Sequence, residues 1–235
     1  MRNFEALDPI ANKIIVVIDA KSDIQNLGKI ASDIGKETRA FKLGLELMQF
    51  DRPWSIHRML RDHDIETWLD TNYVLDSDQI PQVANSVFSR GVKKLSVSAL
   101  SGHQSLISAV NATDHDSSIF IPMPNYHDDL IVPFLEEVIM ANEYLPHRKQ
   151  ITDIMCNVGM IERVKNIGNF TVIATGIRYN NQPIDQHPTT MSPKEAIDHG
   201  ADILAIGRLL TKYSNYEYNY KTTLEKVKTD IEQLF

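Results

Sequence analysis

Apolar positions fall into eight short runs: residues 13–19 (KIIVVID), 39–48 (RAFKLGLELM, which opens with a strand), 66–71 (ETWLDT), 92–100, 117–124, 151–158, 170–175 and 201–207. None alternates cleanly with polar residues. Continuous runs of this length suit strands buried on both faces, as in a parallel sheet covered by helices. Between them lie segments with helical spacing. Ile24, Leu27, Ile30 and Ile34 share one face and end at Gly35. Further helices are predicted at 55–61, 81–89, from Gly102, at 130–141, at 161–167, and from about 220 to 234. Ser192–Pro193 caps another, with proline at its first position and Gly200 at its end. Eight strand–helix units in 235 residues predict an α/β protein, a (β/α)8 TIM barrel forming a single domain over residues 1–235, with a short extension over 1–13. An open doubly wound sheet is the alternative. No glycine-rich turn follows the first strand, which continues IDAKSDIQN, and this counts against a dinucleotide-binding sheet.

In such a barrel the active site lies at the C-terminal ends of the strands. The polar residues expected there are Asp19, Lys42, Asp70, Asn72, Ser98, Asn157, Arg178 and Arg208. Asp70 closes an apolar strand and would be costly to bury unless paired. Lys42 on the neighbouring strand is its expected partner. On spacing alone, the pair serves equally well as a structural seal or as catalytic machinery. The last two strands deliver Gly176 and Arg178, then Gly207 and Arg208, to one edge, with Asp185 and Gln186 in the intervening loop. Glycines let backbone N–H groups approach an anion and a guanidinium adds paired donors, so this edge reads as a phosphate site.

Charge narrows the function classes. With 24 basic against 31 acidic residues the net charge is −7, which argues against nucleic acid as a partner. Cys156 is the only cysteine, so no internal disulfide or cysteine-based zinc cluster is expected. No run is long and apolar enough for a membrane span, and the first ten residues lack a signal-peptide pattern. A cytoplasmic protein is expected. His57, His63 and His127 have no metal-ligand spacing, and no metal site is expected. Asp128–Asp129 reads as a helix cap and His103 as a residue at a helix start. The tyrosine-rich run 213–220 suits a surface loop or a dimer contact.

Several motifs together resemble the orotidine 5′-phosphate decarboxylase family. VVIDA is similar to its first strand, FKLGLELM to its second and WLDTN to its third. SVSALSG is similar to its fourth strand end, with Ser98 where histidine is usual. TGIR, then DQ, then SPKEAIDHGADILAIGR, resembles its phosphate-binding end closely. The resemblance spans nearly the whole chain. It implies cofactor-free decarboxylation of orotidine 5′-monophosphate to uridine 5′-monophosphate. Gln186 and Arg208, with Gly207, would hold the phosphate, while Asp19, Lys42 and Ser98 would face the rest of the nucleotide. Lys42, Asp70, Asn72 and Asp76 would occupy the catalytic positions, in a homodimer with sites at the subunit interface.

The family's third-strand pattern is Asp-x-Lys-x-x-Asp-Ile-Pro. Here Asp70 is kept, Asn72 stands at the lysine position, and Ile80–Pro81 begins ten positions after Asp70 rather than six. About four residues are therefore inserted, and either Asp76 or Asp78 could be the second aspartate. Decarboxylation leaves a carbanion that an ammonium stabilises and protonates; an Asn amide is no proton donor at neutral pH. Three readings follow: a decarboxylase with an altered motif, a relative with another reaction on a nucleotide or sugar phosphate, and a nucleotide-binding protein without catalysis.

Overall fold

The computed structural model describes residues 8–18, 21–45, 53–123, 130–179, 189–211 and 219–234. Eight parallel strands, β1 (Ile14–Ile18), β2 (Ala40–Gly44), β3 (Glu66–Tyr73), β4 (Lys94–Val97), β5 (Ser118–Pro122), β6 (Asp153–Asn157), β7 (Thr171–Thr175) and β8 (Ile203–Ile206), pair in chain order. β8 returns to β1, with Ile14 opposite Leu204, so the sheet closes and has no edge. The expected (β/α)8 barrel is the architecture observed.

Helices α1 (Lys21–Gln25), α2 (Leu27–Ile34), α3 (Pro53–Asp62), α4 (Ile80–Phe88), α5 (Gly102–Asn111), α6 (Ile131–Tyr144), α7 (Ile161–Ile167), α8 (Pro193–Asp198), α9 (Arg208–Thr211) and α10 (Tyr220–Glu232) accompany the strands. Each longer helix turns an apolar stripe inward: α2 buries Leu27, Ile30, Ala31 and Ile34, and α6 buries Ile131, Phe134, Leu135, Val138 and Ala141. The single helix expected over 24–34 is two, because Asn26 leaves helical geometry between them (φ −99°, ψ 4°). Ser192 and Glu195 form a reciprocal capping box on α8, with Pro193 in its first turn. Among the described residues no helix is long and apolar enough to cross a membrane.

Two apolar clusters share the core. The larger lies between the strands and the helices. The smaller fills the barrel itself with Ile15, Val17, Ala40, Trp68, Phe120, Met155, Ile173, Ile203 and Ala205. The side-chain period of two sets which residues face inward. From Ala40 the next inward residue is Lys42, and from Trp68 it is Asp70. The same alternation that packs the interior therefore lifts these two charged groups above the apolar plug, toward the C-terminal mouth.

Candidate active site

Lys42 and Asp70 meet. Lys42 Nζ is hydrogen-bonded to Asp70 Oδ2, and each residue is 8% exposed. The register explains the reach: Lys42 lies opposite Trp68, and Asp70 lies opposite Gly44, one inward step nearer the mouth. The long lysine stem spans that step, and glycine opposite Asp70 leaves the approach open. Asp70 Oδ1 is buried without a hydrogen-bond partner. An unsatisfied carboxylate oxygen is expensive in a protein interior, so this site holds an unmet demand for a donor.

Beyond Asp70 the strand changes character. Between Leu69 and Tyr73, β3 advances four residues while β4 advances two, from Leu95 to Val97. Two extra residues are thus absorbed as a bulge, and β3 runs on through Tyr73, where the sequence suggested a loop from residue 72. Asn72 takes a left-handed conformation (φ 50°), which asparagine tolerates better than most residues. The buried Ser96 hydroxyl accepts from both Thr71 N (2.7 Å) and Asn72 N (2.9 Å), pinning the bulge. The Asn72 side chain is exposed and hydrogen-bonds to neither Lys42 nor Asp70. Asp76 and Asp78 are also exposed, on the approach to α4, where the Asp76 carbonyl receives Gln79 N and Ile80 N. Among the candidates on β2 and β3, only Lys42 and Asp70 are joined to each other. Sequence reading passed over Ser96. Its inward parity with Lys94 and Ser98 was the available signal.

Ser98 is buried at the end of β4. Its N–H donates to Tyr73 O (3.0 Å), and its hydroxyl accepts from Leu100 N (3.3 Å). At the other side of the mouth, β8 is followed by Gly207, which leads directly into α9, whose first residue is Arg208. Both are half-buried. Arg178, after β7, is buried and donates from Nη1 to Ile177 O (2.7 Å). Arg178 N donates to Met191 O (2.8 Å), and Met191 N to Gly176 O (3.2 Å). The two ends of the β7–α8 connection are thereby drawn into a narrow neck. Asp19, Asp185 and Gln186 lie outside the described residues, as do His127, Asp128, Asp129 and residues 213–218 of the tyrosine-rich run.

A second interior ion pair, Lys94 with Asp153, occupies the opposite end, where both residues begin their strands. A cleft of about 470 Å³ opens beside it, lined in part by His115, Arg148 and Lys149. That end of a barrel carries stability rather than chemistry. His103, near the start of α5, binds Glu137 on α6 through its backbone N (2.7 Å) and Nδ1 (3.0 Å), a helix-to-helix clasp. Burial pushes the Cys156 thiol up to about 12, so it is no nucleophile at neutral pH.

No protein-family model matches the chain. It is 27% identical to orotidine 5′-phosphate decarboxylase of Prochlorococcus marinus strain MIT 9515, covering 86% of this chain and 91% of that protein. The enzyme of the same name from Trichlorobacter lovleyi is 24% identical, with 87% and 90% covered. Among solved structures, orotidine 5′-phosphate decarboxylase from Pyrococcus horikoshii superposes with a TM-score of 0.72 at 17% identity, over 93% of this chain and 99% of that one. The Lactobacillus acidophilus enzyme gives 0.71 at 21% identity, over 94% and 99%. The structural likeness speaks for the barrel. The sequence relatives run over most of both chains, and with the motifs at the strand ends they show what the chain is similar to: it resembles, at low identity and over most of its length, proteins named orotidine 5′-phosphate decarboxylase.

Proposed function

We propose that this protein is a carboxy-lyase acting on a pyrimidine nucleoside 5′-monophosphate, converting orotidine 5′-monophosphate to uridine 5′-monophosphate and CO2 without a cofactor. The observation that carries this reading is the buried Lys42–Asp70 pair above the barrel plug, with an unsatisfied carboxylate oxygen beside it. In the reaction, the bond from the ring carbon to its carboxylate breaks and CO2 leaves. The electron pair stays on the ring carbon, which then takes a proton from the Lys42 ammonium, and the resulting amine regains one from solvent. Lys42 is the ammonium that faces the developing charge, and Asp70 holds it there. Gly207 and Arg208, at a strand end that opens a short helix, suit a phosphate as they do in many barrels. Gln186 joins them, Asp19 and Ser98 hold the nucleoside, and Asp76 supplies a second carboxylate. Without a second ammonium beside Lys42 and Asp70, turnover is slower than in lysine-bearing relatives by about 10²–10⁴-fold.

A homodimer is part of this reading. Leu45, Val74 and Leu100 follow β2, β3 and β4 and are 47%, 55% and 58% exposed, an apolar rim suited to a second copy of the chain. The setting is cytoplasmic. The experiment is to follow ring absorbance on mixing with orotidine 5′-monophosphate while measuring uridine 5′-monophosphate affinity in parallel. Turnover with binding supports the proposal. Tight binding without turnover leaves a nucleotide-binding protein, and failure to bind either nucleotide overturns the assignment.

A further inference from the structure

At the end of the barrel opposite the mouth, the interior opens toward the surface. Lys94 begins β4 and Asp153 begins β6, and their ion pair spans the intervening β5. Ser118, the first residue of β5, stands opposite Lys94 and shares the inward parity of Phe120, so a small side chain leaves that crossing free. The cleft beside the pair lies between the loop before β5 and the loop before β6. Both loops are held. The Asn142 amide on α6 clasps the second loop at Ile151, donating to its O (2.9 Å) and accepting from its N (2.7 Å). Lys149 Nζ donates to Thr113 O (3.4 Å), which ties one loop to the other.

The acidic groups around this cleft are already engaged. Asp153 is paired with Lys94, Asp116 lies 3.7 Å from Lys93 Nζ, and Asp114 accepts from Asp116 N (3.0 Å). The cations are less committed. His147, Arg148 and Lys149 follow one another on a single short helical turn, and Arg148 and Lys149 line the cleft, with His115 on the facing loop. Arg148 is exposed, and among the described residues it makes no hydrogen bond or ion pair. Lys149 keeps donors to spare beyond its single bond to Thr113. Such a grouping stands against the net charge of −7 of the whole chain. A guanidinium with its fork uncommitted, and an ammonium beside it, suit a tetrahedral oxyanion. A volume of about 470 Å³ also leaves room for an organic group attached to that anion.

We propose that this cleft is a second binding site for a small phosphate-bearing anion, gripped by the Arg148 guanidinium with Lys149 beside it. The site is at the far end of the barrel from Lys42 and Asp70 and is independent of the nucleotide reading.

The test is a titration of the whole chain with inorganic phosphate at constant ionic strength, followed by amide NMR, with ribose 5-phosphate titrated in parallel. Amides of residues 113–118 and 148–153 should shift together and reach half-saturation below about 10 mM. The Gly207 and Arg208 amides report separately on any binding at the mouth. Arg148→Ala, a change at an exposed side chain without partners, should keep the fold and weaken binding at the cleft by about tenfold. A tighter midpoint for ribose 5-phosphate identifies a phosphate ester as the preferred ligand, and equal midpoints identify the free anion. Absence of shifts at the cleft below about 10 mM of either probe, or the same midpoint in Arg148→Ala as in wild type, would overturn the proposal. Neither result bears on the chemistry at the mouth.

Discussion

Replacing Lys42 with methionine removes the ammonium and keeps most of the stem that spans from Ala40 toward Asp70. Packing against the barrel plug is therefore largely conserved. What remains is a carboxylate 8% exposed, whose Oδ2 has lost its partner and whose Oδ1 had none. Breaking a buried ion pair from one side costs about 3–5 kcal/mol, because the remaining charge is stranded in a medium that solvates it poorly. For a chain of this size that corresponds to a fall in Tm of roughly 6–20 °C. The double variant Lys42→Met/Asp70→Leu removes both charges and fills the space with apolar atoms. It should recover the loss and reach wild-type stability or exceed it by about 1–4 kcal/mol. Equilibrium urea unfolding of wild type, Lys42→Met, Asp70→Leu and the double variant gives the coupling directly. The double variant should also be inactive. A pair retained at a net cost in stability, and needed for turnover, is retained for its chemistry. Loss of less than about 1 kcal/mol in Lys42→Met, or no recovery in the double variant, refutes the reasoning, since either result places the pair in contact with water.

Three other expectations rest on the same structure. His57 is buried against the Arg90 carbonyl (2.8 Å), and burial holds its pKa below the ordinary 6.5, so folding favours the neutral ring. Its contribution to stability is present above 6.5 and is lost as pH falls below that value; urea unfolding between pH 7.5 and 5 (a range on the order of the histidine titration) should show a decline that His57→Gln flattens. Asn72 is held left-handed at the bulge, so Asn72→Gly should be tolerated, whereas Asn72→Val should cost about 1–3 kcal/mol in thermal unfolding. Asn72→Lys should raise decarboxylation by less than about tenfold, because an exposed side chain on this bulge does not join Lys42 and Asp70; a large gain would show that the position still faces the reacting carbon.

How much could be read from the chain differs sharply between the two halves of the site. The strands were visible as continuous apolar runs, because residues buried on both faces leave no alternation to misread. Lys42 and Asp70 stood out for the same reason: a charge inside an apolar run needs a partner. The pairing of these two followed from strand order alone. The bulge did not follow. The insertion between Asp70 and Ile80 was countable, yet its distribution between strand and loop depends on Ser96, a side chain twenty-four positions beyond Asn72 in sequence. The second ion pair, Lys94 with Asp153, was likewise set by a contact between strands far apart in sequence. Asn157 could be named as a polar strand end, but its amide donates to the backbone of Thr189, and no periodicity reports such a contact. Glycines such as Gly176 signal that something comes close without saying what.

The central claim is that the Lys42–Asp70 pair supports decarboxylation although the neighbouring motif lysine is absent. The most direct measurement is release of labelled CO2 from orotidine 5′-monophosphate labelled in its carboxyl group, by wild type and by Lys42→Met under conditions where both are folded. Release above background is expected from the wild-type protein and none from the variant. Folded wild-type protein that binds uridine 5′-monophosphate yet releases no label, or a variant that releases it as fast as wild type, would contradict it.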